Sequence, residues 1–307
     1  MVKKVFPFLS FAFYNRIEIE KSQRNFITTL QRKMSEKKYI HIELIEDDDD
    51  SFINQNDGSE VVEEKVVKKK EKKPRKPRTE AIMLKWSFSE MNHIIEIGSD
   101  EAGRGPMFGR VYSAAVVLPK DDSFDHFKMK DSKKFHSKKK IEEVAEYIKS
   151  NAIAWSVKYS DEAKIDEINI LQATQQAMHD AIYDVKHKLL QLYPHLKTNE
   201  ILLLIDGNYF NPLTHFNKYT GKIETVPYKM IEGGDNKYTS IAAASILAKV
   251  ERDKYIEELC KENPELIERY GIDSNKGYGS KKHMDGIKQH GITKWHRRSF
   301  GICKEYV

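Results

Sequence analysis

The amino-acid sequence predicts an α/β protein built around a mixed β-sheet. Residues 94–99 and 111–118 are predicted strands on either side of a glycine-rich turn, an arrangement typical of an antiparallel hairpin. Residues 201–205 form an unbroken apolar run, as expected of a strand that helices cover on both faces. A hairpin followed by strands that each lead into a helix indicates a mixed sheet.

The other elements follow from the spacing of apolar residues. Ile141, Val144, Ala145 and Ile148 recur at helical spacing. A longer helix is predicted over residues 171–192, ending before Pro194. Residues 225–231 are predicted to form one strand, and residues 240–260 a helix whose alanine-rich start allows close packing.

Composition excludes several classes of protein. The only cysteines are Cys260 and Cys303, which argues against a disulfide framework and against a cysteine-rich zinc site. No apolar run has the roughly 18 residues that a membrane span needs. We therefore expect an intracellular, cytoplasmic protein, and we expect it to be a monomer. Its net charge of +5 is too small to identify an acidic partner by itself.

Charge patterning divides the chain into three parts. Residues 1–84 form an acidic and then basic extension that we expect to be largely disordered, because it has little apolar surface to bury. The basic run at 68–78 is compatible with nuclear targeting, with phosphate binding or with a solvated linker. Residues 85–262 are predicted to form the folded core, and residues 263–307 a helical C-terminal portion.

Four acidic residues stand where predicted strands end. Asp100 and Glu101 follow the first strand, and Asp206 follows the most apolar one. Asp235 precedes the alanine-rich helix. Each has an ordinary explanation as a solvated strand end, a turn residue or a helix cap. Ligand sites in open α/β sheets nevertheless lie beyond the carboxyl ends of strands, so these four side chains are expected to share one pocket.

Carboxylates crowded in this way repel one another unless divalent cations neutralise them. Mg²⁺ or Mn²⁺ is the expected cofactor, with two ions in the site. Such a pair can activate a water molecule and stabilise the leaving oxygen of a phosphodiester without a protein nucleophile. Metal-dependent phosphodiester hydrolysis is therefore the predicted chemistry.

Five motifs together resemble ribonuclease HII over residues 94–300 and in the family's order. They are Asp-Glu-Ala-Gly-Arg-Gly-Pro at 100–106, Asp-Ser-Lys-Lys at 131–134, Asp-Gly-Asn at 206–208, the alanine-rich helix at 240–253, and the C-terminal Lys-Gly-Tyr-Gly-Ser-Lys-Lys-His and His-Arg-Arg-Ser-Phe segment at 276–300. The resemblance implies a ribonuclease H-like fold, with a five-stranded mixed sheet flanked by helices and a helical C-terminal portion. It also implies that Asp100, Glu101, Asp206 and Asp235 bind the metals.

The resemblance further implies an RNA/DNA hybrid as substrate, or duplex DNA with one embedded ribonucleotide cut on its 5′ side. Gly103, Arg104 and Gly105 match the motif that senses the 2′-hydroxyl, which distinguishes RNA from DNA at a given position. Tyr278 matches the aromatic residue that stacks on the neighbouring deoxyribose. Lys133 and Lys249 are the best-supported phosphate contacts; the weaker candidates are Lys134, Lys281 and Arg297.

Two alternatives stay open at this stage. The sister enzyme ribonuclease HIII shares the carboxylates, although Arg104-Gly105-Pro106 favours HII. A non-catalytic hybrid-binding module is the other, although all four acids are present. This chain departs from the family at Tyr209–Pro212 and at Ser280, which puts substrate preference in more doubt than activity. The residues do not decide whether a sliding clamp also binds.

Overall fold

A five-stranded mixed sheet organises the structure, a computed structural model that describes residues 83–91, 93–217 and 220–307. Its strands are β1, Ile95–Ala102; β2, Val111–Val117; β3, Ala154–Ser160; β4, Ile201–Asp206; and β7, Tyr228–Ile231. Their order across the sheet is β3-β2-β1-β4-β7. A separate hairpin consists of β5, Thr214–Asn217, and β6, Lys222–Thr225. The predicted five-stranded mixed sheet is confirmed.

The pairing of β1 with its neighbours aligns the sheet edge at which the acidic residues lie. β1 is antiparallel to β2, as the predicted hairpin requires, and parallel to β4. In the parallel register Ser99 is paired with Ile205, so the next residues of the two strands are Asp100 and Asp206. Side-by-side parallel strands therefore bring two acids together that are far apart in the sequence.

Helices cover both faces of the sheet. Their bounds are α1, Lys138–Asn151; α2, Glu162–Leu192; α3, Thr239–Glu262; α4, Glu265–Tyr270; α5, Ile272–Asn275; and α6, Lys281–His290. Alternate residues of β2 face opposite ways, because side chains alternate along a strand. Ala114 and Val116 pack with α3, whereas Ala115 and Val117 pack with α2. The predicted helical C-terminal portion is confirmed in α4, α5 and α6.

Gly98 permits the close approach of α3 to the sheet. A Cβ atom at this position would lie 2.3 Å from the backbone carbon of Ser240 and 2.6 Å from the backbone nitrogen of Ile241. No side chain fits in that space, so the alanine-rich start of α3 rests directly on β1. This contact holds the first turn of α3 beside the carboxyl ends of β1 and β4.

Two predicted elements have different bounds in the structure. The single strand predicted at 225–231 is interrupted at Pro227, where β6 has ended and β7 has not begun, since proline has no N–H for the ladder. The long helix begins at Glu162 and not at residue 171; its ladder breaks at Asn169, whose φ is 68°. The prediction found only the part after that break.

Strand β3 was missed altogether, and β1 extends further than predicted. The period-two alternation of β3 is visible in the sequence, where Trp155, Val157 and Tyr159 alternate with polar residues. β1 continues to Ala102, so Asp100 and Glu101 belong to the strand itself.

Among the described residues, no helix has the length and apolar character needed to cross a bilayer. Residues 1–82 of the predicted extension at 1–84, with its basic run, lie outside the described residues, and the three-part division of the chain stays a prediction.

Candidate active site

A cavity of about 430 Å³ opens at the carboxyl ends of β1 and β4. All four predicted metal ligands line it: Asp100, Glu101, Asp206 and Asp235. The six predicted substrate residues line it as well: Gly103, Arg104, Gly105, Lys133, Lys249 and Tyr278. The structure therefore brings these ten predicted site residues to one place, although they come from segments spread over 179 positions of the chain, from 100 to 278.

The side chains of Asp100 and Asp206 are held by backbone amides. An Asp100 Oδ1 atom accepts a hydrogen bond from the Glu101 N–H at 2.6 Å, and Asp206 Oδ1 accepts one from the Gly234 N–H at 2.6 Å. The hydrogen bond between Asp206 and Gly234 joins residues 28 positions apart. The Asp206 side chain therefore does more than cap the turn that follows β4. It also fixes the loop that carries Asp235.

Asp235 does not cap the helix that follows it. The N-cap of α3 is Tyr238, and Asp235 lies in the preceding 3-10 turn, which Gly233 enters with a φ of 61°. Its Oδ1 atom accepts from Asn236 Nδ2 at 3.1 Å. The helix-cap explanation is therefore wrong, and Asp235 is available to the cavity.

Burial and mutual repulsion make these carboxyls unusually hard to ionise. The pKa of Asp100, which is 5% exposed, is raised well above its usual value by burial and then by the charges of Glu101 and Asp206. Burial also raises the pKa of Glu101, although Arg104 Nη1 lies 3.2 Å from its Oε1 and opposes the shift. Burial, Asp131 and Asp206 raise the pKa of Asp235. Lys133 opposes the raised pKa of both Glu101 and Asp235 but does not cancel it.

The donor chemistry of this cluster fits a hard divalent cation, which prefers oxygen ligands and would relieve the repulsion. Within the described part of the chain, however, no three His, Cys, Asp or Glu side chains converge closely enough to hold an ion. The carboxylates are thus gathered in one cavity without forming a closed coordination shell.

The glycine segment 103–105, here called the glycine loop, forms one wall of the cavity. Gly103 has a φ of 94°, and a Cβ atom there would lie 2.2 Å from Arg252 Nε. At Gly105 a Cβ atom would lie 3.3 Å from a ring carbon of Tyr278, which is 52% exposed. The loop and the tyrosine ring are therefore in contact, and glycine keeps both surfaces open to a ligand.

The predicted phosphate contacts separate into different environments. Lys133 and Lys249 line the cavity, and Lys249 pairs with Asp253. Lys134 contacts the side-chain oxygen of Asn236. Arg297 was wrongly predicted as a phosphate contact: its side chain is fully buried and donates to backbone carbonyls. Charge in the sequence cannot reveal whether an arginine faces inward.

Several cavity residues were not assigned in advance. The additional lining residues are Ala102, Ser132, Ser245, Arg252, Ser274, Asn275 and Lys276. The hydroxyls of Ser132 and Ser245 lie 3.0 Å apart, and a hydrogen bond from Ser245 counteracts the raised pKa of Asp100. Both serines stand inside motifs that the sequence had singled out, so their position in those motifs was the available signal.

Comparisons with known proteins agree with this geometry. The family model described as Ribonuclease HII matches residues 97–303. The ribonuclease HII of Bacteroides fragilis is 41% identical over 221 residues, covering 72% of this chain and 94% of the relative. That of Pelagibacter ubique is 44% identical over 210 residues, covering 68% and 97%. The crystal structure of ribonuclease H2 from Pyrococcus horikoshii has a TM-score of 0.51 at 22% identity, covering 69% of this chain and 97% of that one, and shares the fold.

Proposed function

This chain belongs to the ribonuclease HII family of endonucleases, which cut the RNA strand of RNA/DNA hybrids, and we propose that it also nicks duplex DNA 5′ to a single ribonucleotide. The products are a 3′-hydroxyl and a 5′-phosphate. One observation supports this activity above all: ten residues matched to the family's metal and substrate positions line a single cavity. Removal of RNA primers and misincorporated ribonucleotides is the corresponding cellular role.

Catalysis depends on the divalent metal ions that the four carboxylates would bind. Asp100, Glu101, Asp206 and Asp235 would bind two Mg²⁺ or Mn²⁺ ions, which activate a water molecule and stabilise the charge that develops on the phosphodiester. The Gly234 amide keeps one Asp206 oxygen fixed, and the Glu101 amide does the same for Asp100. These bonds orient the carboxylates before substrate arrives, which lowers the cost of assembling the site.

Other cavity residues bind and orient the nucleic acid. Lys133 and Lys249 contact phosphates, which positions the duplex without reading its sequence. The glycine loop approaches the sugar of the ribonucleotide, where its backbone amides bind the 2′-hydroxyl. Tyr278 stacks on the adjacent deoxyribose, and its ring already lies against Gly105.

Cleavage of defined duplexes tests the proposed function. The full chain is incubated with an RNA/DNA hybrid, with a DNA duplex carrying one ribonucleotide and with the all-DNA duplex, each with Mg²⁺, with Mn²⁺ or with chelator. We expect one nick 5′ to the ribonucleotide and multiple cuts in the hybrid, only when metal is present. Intact ribonucleotide-containing substrates in both metals would refute the activity.

Replacing Tyr278 by alanine should impair cleavage at a single ribonucleotide more than cleavage of a long hybrid. The stacking surface is lost, and stacking of a base on an aromatic ring contributes about 1–3 kcal/mol; a loss of that size corresponds to roughly 5- to 150-fold in kcat/KM. Steady-state kinetics on the two substrates measures the difference. Tyr278→Phe keeps the ring and should retain most activity. Tyr193→Ala, at an exposed tyrosine outside the cavity, is the matched control; equal losses on both substrates for Tyr278→Ala would remove the proposed stacking role.

Replacing Asp100 by asparagine should stabilise the metal-free protein at pH 8. The folded pKa of Asp100 is raised, so the folded chain binds more protons than the unfolded chain, and its stability falls as pH rises through that pKa. Asparagine removes this cost while its side-chain oxygen still accepts from the Glu101 amide. Thermal melts in chelator should show a higher melting temperature for the variant at pH 8 and a shrinking difference as pH falls.

Two controls accompany those melts. Asp122→Asn, at an exposed aspartate outside the cavity, should change the melting temperature little at any pH. Adding Mg²⁺ or Mn²⁺ should stabilise the wild type more than Asp100→Asn, because binding to the folded state alone raises stability. A pH-independent difference between the two proteins would contradict the electrostatic explanation.

A further inference from the structure

Arg297 is buried beneath the glycine loop, and its guanidinium donates to four backbone carbonyls. Nη2 donates to Gly103 O at 2.6 Å, and Nη1 donates to Arg104 O at 3.0 Å and to Pro106 O at 2.7 Å. Nε donates to Gly109 O at 2.8 Å. The residue is 0% exposed, and within the described ranges it forms no ion pair with a carboxylate. All of its hydrogen bonds therefore serve one short backbone segment.

These bonds determine which way the amides of the loop point. The C=O and N–H of a trans peptide lie on opposite sides of the chain. Because the carbonyls of Gly103 and Arg104 face Arg297, the N–H groups of Arg104 and Gly105 point away from it. Neither N–H donates to an acceptor among the described residues, whereas the Met107 N–H is used by Gly277 O at 2.9 Å. The loop thus offers two unused donors on the wall of the cavity.

We propose that Arg297 is a positioning residue that aims the Arg104 and Gly105 amides at the 2′-hydroxyl oxygen of the ribonucleotide. It acts through the loop and touches no substrate atom. This inference rests on the proposed function, since the hydroxyl it serves belongs to that substrate. The preference for ribonucleotide-containing duplex over DNA therefore depends on a residue that lies almost two hundred positions from the loop it orients.

Arginine is suited to this position because its planar fork carries five donors in a fixed geometry. A lysine has a single nitrogen with three donors, so it cannot bond all four of these carbonyls. Burial, with Arg252 nearby, lowers the pKa of Arg297 to about 9, which reflects the cost of placing this cation away from water. The four carbonyl dipoles offset that cost and explain why the charge needs no carboxylate partner.

A second buried arginine lies against the same loop. Arg252, on α3, is 2% exposed, and its side chain lies against Gly103. Its Nη2 donates to Lys276 O at 2.8 Å, two residues before Tyr278. Only Arg297 donates to the carbonyls of Gly103 and Arg104, so Arg297 is the arginine that controls the orientation of these two peptides.

Duplex binding by cleavage-deficient proteins tests the proposal. Asp206→Asn is used as the parent, and Arg297→Lys or Arg298→Lys is added to it; Arg298 is the adjacent arginine, with an exposed side chain. Affinity is measured for a DNA duplex with one ribonucleotide and for the same duplex without it, both with Mg²⁺ present. Far-UV circular dichroism and melting curves establish that each variant is folded.

We expect Arg297→Lys to reduce the preference for the ribonucleotide-containing duplex roughly tenfold, the loss that follows when one or two hydrogen bonds are no longer made. Arg298→Lys should keep the preference of the parent. A purely structural role would weaken binding of both duplexes equally. The proposal would be overturned by a folded Arg297→Lys protein that keeps the parent's preference for the ribonucleotide-containing duplex. It would also be overturned if the parent bound both duplexes equally although the wild type cleaves the ribonucleotide-containing one. Failure of the wild type to cleave would instead overturn the proposed function.

Amide resonances give a second measurement if Arg297→Lys does not fold. In ¹⁵N-labelled Asp206→Asn protein, the Arg104 and Gly105 signals should shift more with the ribonucleotide-containing duplex than with DNA. The Arg297 Nε–H should be protected from exchange with solvent. Equal shifts with both duplexes, or rapid exchange of that proton, would contradict the assigned role.

Discussion

Asp206→Asn is expected to abolish strand cleavage while leaving the fold intact. Asparagine retains the side-chain oxygen that accepts from the Gly234 amide at 2.6 Å, so the loop carrying Asp235 keeps its anchor. It loses the negative charge that the cavity needs to hold divalent cations. Metal ions contribute several kcal/mol to the stabilisation of the transition state, so kcat should fall on the order of 1,000-fold or more.

Single-turnover cleavage of the singly substituted duplex and of a long hybrid measures this effect. Glu232→Gln is the matched control, because Glu232 follows β7 at the same edge of the sheet, is exposed and does not line the cavity. That control should cleave at the wild-type rate. Wild-type cleavage by a folded Asp206→Asn protein would show that the carboxylate cluster is not the catalytic centre.

Gly98→Val is expected to cause the largest loss of stability. The position is paired with Val116 on β2 and Leu204 on β4, so β1 cannot move aside without disturbing the sheet. The added Cβ would lie 2.3 Å from the Ser240 backbone carbon, and backbone cannot give way as a flexible side chain can. Overpacking typically costs 1–3 kcal/mol, and we expect about 3 kcal/mol here because α3 must shift.

Denaturant unfolding of the metal-free proteins measures the change in the free energy of unfolding. Gly233→Ala is the comparison: its φ of 61° is unfavourable for alanine, but no described atom lies within 4 Å of the added Cβ. It should lose only about 1 kcal/mol, the cost of a left-handed backbone conformation. Similar losses for the two variants would mean that the contact between Gly98 and α3 does not limit stability.

Much of the catalytic cluster was predictable because strand ends have simple geometry. The apolar run before Asp206 indicated a buried strand, and the carboxyl ends of neighbouring parallel strands meet at one edge of a sheet. Asp100 and Asp206 are therefore neighbours for a reason visible in the sequence. Asp235 needed the motif as well, since Gly-Gly-Asp before a helix is equally compatible with a cap that the structure does not contain.

Other features were hidden because tertiary contacts override local patterns. Pro227 sits between two strands that a hydrophobic pattern joined into one. Asn169 interrupts α2 with a φ of 68°, and its Oδ1 accepts from the Gln172 amide at 3.1 Å to restart the helix. The residues of α2 before Asn169 do not continue the apolar spacing of the residues after it. The sequence pattern therefore did not reveal where the helix begins.

The sequence by itself determined the family, the mixed sheet and ten of the residues that line the cavity, because apolar patterning and motif spacing can be read directly along the chain. Only the tertiary structure decided that Arg297 faces inward and not toward phosphate. A charged side chain is buried only where the fold supplies acceptors, and those acceptors are carbonyls of residues 103–109, which meet Arg297 only in the folded chain.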